Sequence, residues 1–271
     1  MYSLFRHKAP HGTALWGVAF FSAFPVSAIL QVPYAEPLTV FLLATALLLI
    51  IRHRYVWAIP VVILLCLSRP VGVPFAMMLG LLFVVRLVAR VRGSEPEPNP
   101  GLRELASLAG LTAVGGASAL LWPAAAWLAT GDIEAYTKTE TVWRGHDLVL
   151  FKPWFDTGID LFGPVLGIVA PFVFAALFGL MLFTPAVVRL GVELRLWCAC
   201  YMGYLLLFLH PQTSTFRMLL PLFPLALGAA LLSRSRAYRG TVITMFVLLQ
   251  IVWIVWLWAW AQLPGGGDYP P

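Results

Sequence analysis

Long apolar runs separated by short polar connectors set the plan of this chain. Nine runs stand out, at about 13–31, 37–51, 55–67, 71–89, 105–129, 161–184, 196–209, 217–232 and 241–262. A straight helix needs roughly 20 apolar residues to cross a bilayer. Several runs are shorter, and 55–67 and 196–209 are the weakest; these two either extend into their flanks or form half-buried helices. The pattern predicts an all-α polytopic membrane helix bundle of about nine transmembrane helices. It forms a single integral-membrane domain over residues 1–271, with one long outward loop at 130–160.

Composition supports the same class. Of 271 residues, 61% are hydrophobic and only 11% charged. A soluble globule of this size could not hide that much apolar surface behind a polar skin. The lipid bilayer is therefore the first partner. The net charge of +6 would suggest nucleic acid in a soluble protein; here the positive-inside rule accounts for it, and no nucleic-acid partner is expected. Cys66, Cys198 and Cys200 lie in apolar runs and read as small core residues. The Cys-Ala-Cys spacing suits no zinc site. The basic start, Phe5-Arg6-His7-Lys8, leads into an apolar run that looks retained, not cleaved.

Charge also predicts the topology. With a cytoplasmic N-terminus and alternating runs, the inside connectors hold 13 of the 18 Lys and Arg residues. They are Arg6, Lys8, Arg52, Arg54, Arg86, Arg90, Arg92, Arg103, Arg189, Arg195, Arg234, Arg236 and Arg239. Eight of the 12 acids fall outside. A wrong span count would scramble this bias, so N-in and C-out is the expected arrangement. The inside connectors read as simple tethers. Ser233–Arg239 is a basic juxtamembrane patch, an orientation signal or a lipid-headgroup contact.

The outside connectors carry the remaining chemistry. Glu36 is the one acid between Met1 and Glu95. It is either a solvated turn carboxylate between Pro33 and Pro37 or a carboxylate aimed into an outward cavity. Arg69, in Ser-Arg-Pro, either snorkels to headgroups or binds phosphate with its fork of donors. His210, Gln212, Thr213, Ser214, Thr215 and Arg217 form a dense polar knot that suits ligand binding, with Arg217 a second phosphate candidate. The long loop mixes Tyr136, Trp143, Phe151, Trp154 and Phe155 with Arg144, His146 and Asp147. It is either a lid or re-entrant segment against a sugar or a plain structured loop; His146-Asp147 is too small a set for a metal site. No Walker loop, dinucleotide glycine motif, zinc motif or nucleophile elbow occurs. Neither a metal nor a cofactor is expected.

Two stretches carry a resemblance. Phe-Pro-x-Ser at 24–27 is followed by Tyr34-Ala-Glu36-Pro-Leu, a basic-aromatic loop at 52–57, and a run ending in Ser68-Arg69-x-x-Gly72. Together they resemble the GPI mannosyltransferase II family and its actinobacterial relatives, within the GT-C glycosyltransferases. The stretches around Tyr136–Gly145 and Pro211–Leu225 are similar to later loops of the bacterial members. The resemblance implies an enzyme of a bacterial plasma membrane, its active face outward. It would transfer mannose from a polyprenyl-phosphate donor to a glycan or glycolipid acceptor with inversion. Donor phosphate would be held by Arg69 and Arg217. Sugar or acceptor would meet Tyr34, Glu36, Trp143, Arg144, His146, Asp147, His210 and Gln212. The family's general base is an Asp in the first outer loop, which the resemblance places before Met1. The chain would then be the C-terminal two-thirds of such a module, with Glu36 a sugar-site residue and the base unassigned. The contrasting expectation is a non-catalytic lipid-phosphate-binding or transport-related membrane protein.

Overall fold

The computed structural model describes residues 1–92, 101–144, 149–209, 211 and 213–258, with side chains for all of these but 143–144, 213 and 256–258. The helices in chain order are α1 (Tyr2–Arg6), α2 (His11–Ala23), α3 (Glu36–Ile51), α4 (Tyr55–Ser68), α5 (Gly72–Arg92), α6 (Leu102–Ser118), α7 (Leu121–Thr130), α8 (Ala135–Arg144), α9 (Lys152–Leu182), α10 (Pro185–Val188), α11 (Val192–Phe208), α12 (Pro224–Leu232) and α13 (Arg236–Trp258). Short 3₁₀ turns cover Ser27–Gln31, Thr213–Thr215 and Arg217–Leu222, and no strand occurs among the described residues. Each of the nine apolar runs is helical over most of its described length. Among the described residues four stretches are long and apolar enough to cross a membrane: Gly72–Arg92, Leu102–Thr130, Lys152–Leu182 and Arg236–Val255. Helices α3 and α4 are apolar but shorter. The described residues thus form helices and no strands, with the composition of an integral membrane protein. Its three cysteines are buried and free.

The chain clusters into two compact units. One comprises Met1–Val40, Val149–Gly191 and Leu205–Pro271; the other comprises Phe41–Leu148 and Val192–Tyr204.

In the first unit α2 is the hub, with α1, α12 and α13 packed on it. Gly17 makes this possible: a Cβ there would lie 3.0 Å from the Phe5 ring and 3.2 Å from Leu227 Cα. In lipid there is no hydrophobic gain from burying apolar helix against helix, so close backbone approach and van der Waals contact hold such packing. Leu4, Phe5 and Phe20 are fully buried by it. Helix α13 runs parallel to α2: Arg239 lies over Trp16, Phe246 meets both Phe20 and Phe24, and Gln250 Nε2 donates to Phe24 O at 3.2 Å.

Helix α9 is not straight. Gly163 sits at φ 79, ψ 172, a conformation reserved for glycine, and Pro164 follows it. A continuous helix would put Trp154 and Phe174 about 30 Å apart. Instead their rings stack at 6.1 Å, and Phe155 meets Phe172 at 5.4 Å. The segment is therefore a helical hairpin. Its arms cross where Gly158 and Gly167 meet backbone to backbone, which any Cβ would block. The stretch able to cross a bilayer is the long arm from Pro164 to Leu182, about 28 Å of helix. Within the expected outward loop at 130–160, α8 and the short arm of this hairpin are helical.

In the second unit α6 packs against both α4 and α5. Gly72 at the start of α5 touches Ala119, leaving no room for a Cβ. Phe75 packs on Trp197, which is fully buried and stacks on Tyr201 at 5.1 Å.

Candidate functional site

The 3₁₀ turn Ser27–Gln31 packs against the turn Arg217–Leu222 in the first unit. Ser27 Oγ donates to Phe21 O at 2.5 Å and fixes the first turn; buried Leu220, Pro221 and Leu222 anchor the second. Glu36 begins α3, where the helix dipole favours an acidic side chain. Pro37 follows it at a position where a missing N–H costs nothing, and Thr39 Oγ1 donates to Ala35 O at 2.8 Å.

Three residues meet there. Glu36 is 5% exposed, so its solvated-turn reading is set aside. Its Oε1 lies 3.7 Å from Arg217 Nε, an ion-pair contact longer than a hydrogen bond. The Arg217 guanidinium lies over the Tyr34 ring, 5.2 Å from its centroid. Arg217 Nε is buried with no hydrogen bond among the described residues. A largely buried cation is thus held by a carboxylate and a ring face. The fork retains donor capacity beyond the single carboxylate contact.

Sequence reasoning singled out all three, and folding brings them together across about 180 residues of chain. Arg69 belongs to the second unit, where it caps α4 in extended conformation and its N–H bonds Leu65 O. Trp143 and Arg144 end α8, their side chains outside the described residues; His146, Asp147, His210 and Gln212 lie outside them altogether. At the start of α8, Asp132 Oδ1 accepts from the Glu134 N–H and Oδ2 from Lys138 Nζ at 2.7 Å. The Lys138 ammonium, with help from that backbone N–H, holds the Asp132 carboxyl below the usual carboxylate range. Among the described residues no group of three or more His, Cys, Asp or Glu could hold a metal ion.

A second polar cluster went unread in the sequence. Arg86, 7% exposed near the end of α5, reaches Glu104 Oε1 with Nη1 at 2.9 Å and Glu193 Oε1 with Nη2 at 3.1 Å. Glu104 Oε1 also accepts from Tyr55 OH at 3.3 Å and lies 2.7 Å from His53 Nδ1. That distance to a carboxylate requires a proton on Nδ1, so the 3.2 Å approach of Arg86 Nη1 to the same nitrogen is a contact and not a bond. Ends of α4, α5, α6 and α11 converge here, all expected to be inside connectors. Those connectors are not simple tethers: their charges form one network, a guanidinium against two carboxylates. The available signal was Arg86 itself, a cation placed before the end of an apolar run, where an unpaired charge is costly.

Comparison with protein-family models, with curated proteins and with solved structures found no match. The functional reading therefore rests on the residues and their geometry.

Proposed function

We propose that this chain is a membrane mannosyltransferase of GT-C type, with about nine spans, that takes polyprenyl-phosphate mannose as donor on the extracytoplasmic face. The observation that carries the reading is the meeting of Tyr34, Glu36 and Arg217, residues singled out separately for sugar and phosphate. Arg217 offers the positive fork that a lipid phosphate needs as charge develops on its leaving oxygen. Glu36, paired with Arg217, accepts hydrogen bonds from sugar hydroxyls, and the Tyr34 ring packs against the guanidinium. In the reaction an acceptor hydroxyl oxygen bonds to the sugar's C1. The C1–O bond to phosphate breaks with its electron pair going to phosphate, and the hydroxyl proton passes to a general base that this reading assigns to no residue of the chain. Glu36 is assigned to binding, not to that base.

The test is mannosyl transfer from polyprenyl-phosphate mannose in membranes that carry the protein. Glu36→Gln and Arg217→Ala should each lower turnover by about a hundredfold, the usual cost of losing one charge-stabilising group. Full activity in both variants would end the assignment. The Glu36–Arg217 ion pair also suits a non-catalytic lipid-phosphate binder. That second reading predicts that both variants lose lipid-phosphate binding in a chain with no transfer activity to lose.

A further inference from the structure

The parallel register of α2 and α13 has a consequence at their starting ends. Trp16 pairs with Arg239, Phe20 with Tyr238 and Phe246, and Phe24 with Phe246 and Gln250. Following that register back one turn sets Ser233–Arg236 level with the first residues of α2. The α1–α2 turn lies at the same end, where Tyr2 OH bonds His11 Nδ1 at 2.6 Å and Arg6 Nη1 donates to Ala9 O at 3.1 Å. Tyr238 OH donates to Ala229 O at 3.0 Å, tying the end of α12 to the same place.

Five cations thus gather at one end of the first unit: Arg6, Lys8, Arg234, Arg236 and Arg239. Along the chain no acid precedes Glu36 and none lies between Glu193 and Asp268, so the segments that carry these cations hold no acid of their own. Arg6, Arg234 and Arg236 are exposed. Arg239 is only half-exposed; its guanidinium is 5.2 Å from the Trp16 ring centroid, and its buried Nε has no hydrogen bond among the described residues. Apolar side chains frame the cations: Leu15 is 47% and Leu232 62% exposed. Cations above, an indole beneath one of them and exposed leucines alongside match a headgroup phosphate with its acyl chains below.

We propose that this end of the first unit is a binding site for an anionic phospholipid, with Arg234, Arg236 and Arg239 on the headgroup phosphate and Leu15 and Leu232 against the chains. An orientation signal alone would act during insertion and leave the folded protein indifferent to headgroup charge. A lipid site keeps its preference afterwards, because Arg236 and Arg239 sit on α13 and Arg234 in the three-residue connector that joins it to α12.

The test uses the purified full chain in neutral detergent. Energy transfer from tryptophan to a chain-labelled phosphatidylglycerol reads binding, with unlabelled phosphatidylglycerol, phosphatidylcholine and inorganic phosphate as competitors. Phosphatidylglycerol should compete at least about tenfold better than phosphatidylcholine, and high salt should remove most of the difference. Arg234→Gln with Arg236→Gln should weaken phosphatidylglycerol binding by about 25-fold, at about fivefold per arginine. Unchanged thermal stability of this double variant in phosphatidylcholine confirms that it is folded; if it is not, the salt dependence of the unaltered chain decides. Equal competition by the two lipids, no loss in a folded double variant, or no response to salt would overturn the proposal. Competition by millimolar inorganic phosphate as strong as by phosphatidylglycerol would overturn it too, by making this a free-phosphate site.

Discussion

Removing Arg86 tests how the second unit is held together. The guanidinium makes two charge-assisted hydrogen bonds, at 2.9 Å to Glu104 and 3.1 Å to Glu193, each worth about 1.5–3 kcal/mol. In Arg86→Met both carboxylates lose their cation. Glu193 is 5% exposed at its side chain and Glu104 23%, so Glu193 bears most of the cost. Breaking a buried ion pair from one side costs about 3–5 kcal/mol, and the partial exposure of Glu104 puts the expectation near ~3 kcal/mol. For a chain of this length that is a fall in melting temperature of about 6–12 °C. Thermal unfolding of the purified protein in one fixed detergent would measure it. Arg86→Met combined with Glu104→Gln and Glu193→Leu removes both carboxylates along with the guanidinium, and should recover most of the loss. A melting temperature for Arg86→Met within about 2 °C of the unaltered chain, or a triple variant less stable than the single one, would refute the reasoning.

Other outcomes follow from the hairpin and from the start of α8. Gly163→Ala forces a side chain into a conformation only glycine tolerates and should cost about 1–3 kcal/mol; an unchanged melting temperature would count against the bend. Cysteines placed at Phe155 and Phe172, whose rings meet at 5.4 Å, should be joined by a short bifunctional thiol cross-linker. Adding Gly167→Leu should abolish that link, because its side chain would run into the Gly158–Ile159 backbone. The Asp132 carboxyl is held below its ordinary range chiefly by Lys138. Its contribution to the start of α8 is therefore present above the ordinary carboxylate pKa and lost as pH falls through the lowered folded value. Protection factors across α8, taken against the intrinsic exchange rate at each pH, should fall in strong acid, and Asp132→Asn should show the lower protection already at neutral pH; equal protection in both proteins at both pH values would rule this out.

The apolar runs were legible because a lipid solvent leaves little choice: a long uncharged run must satisfy its own backbone, and a helix does that. Glu36 and Arg217 were legible for the complementary reason, as charges beside apolar spans that demand an explanation. Their pairing was not, since nothing along the chain sets the distance between two turns so far apart in sequence.

By itself, then, the sequence determined the helical membrane class, the positions of most helices and the identity of the costly charges, all of which follow from local composition and the physics of lipid. Only the tertiary structure decided that the 161–184 run belongs to a hairpin, because the deciding feature is the backbone angle at Gly163 and the room left between Gly158 and Gly167. It also decided which charge answers which. Arg217 closes on Glu36 within the first unit, and Arg86 closes on Glu104 and Glu193 within the second. Partner choice among buried charges depends on distance and burial, and both are set by how the helices pack.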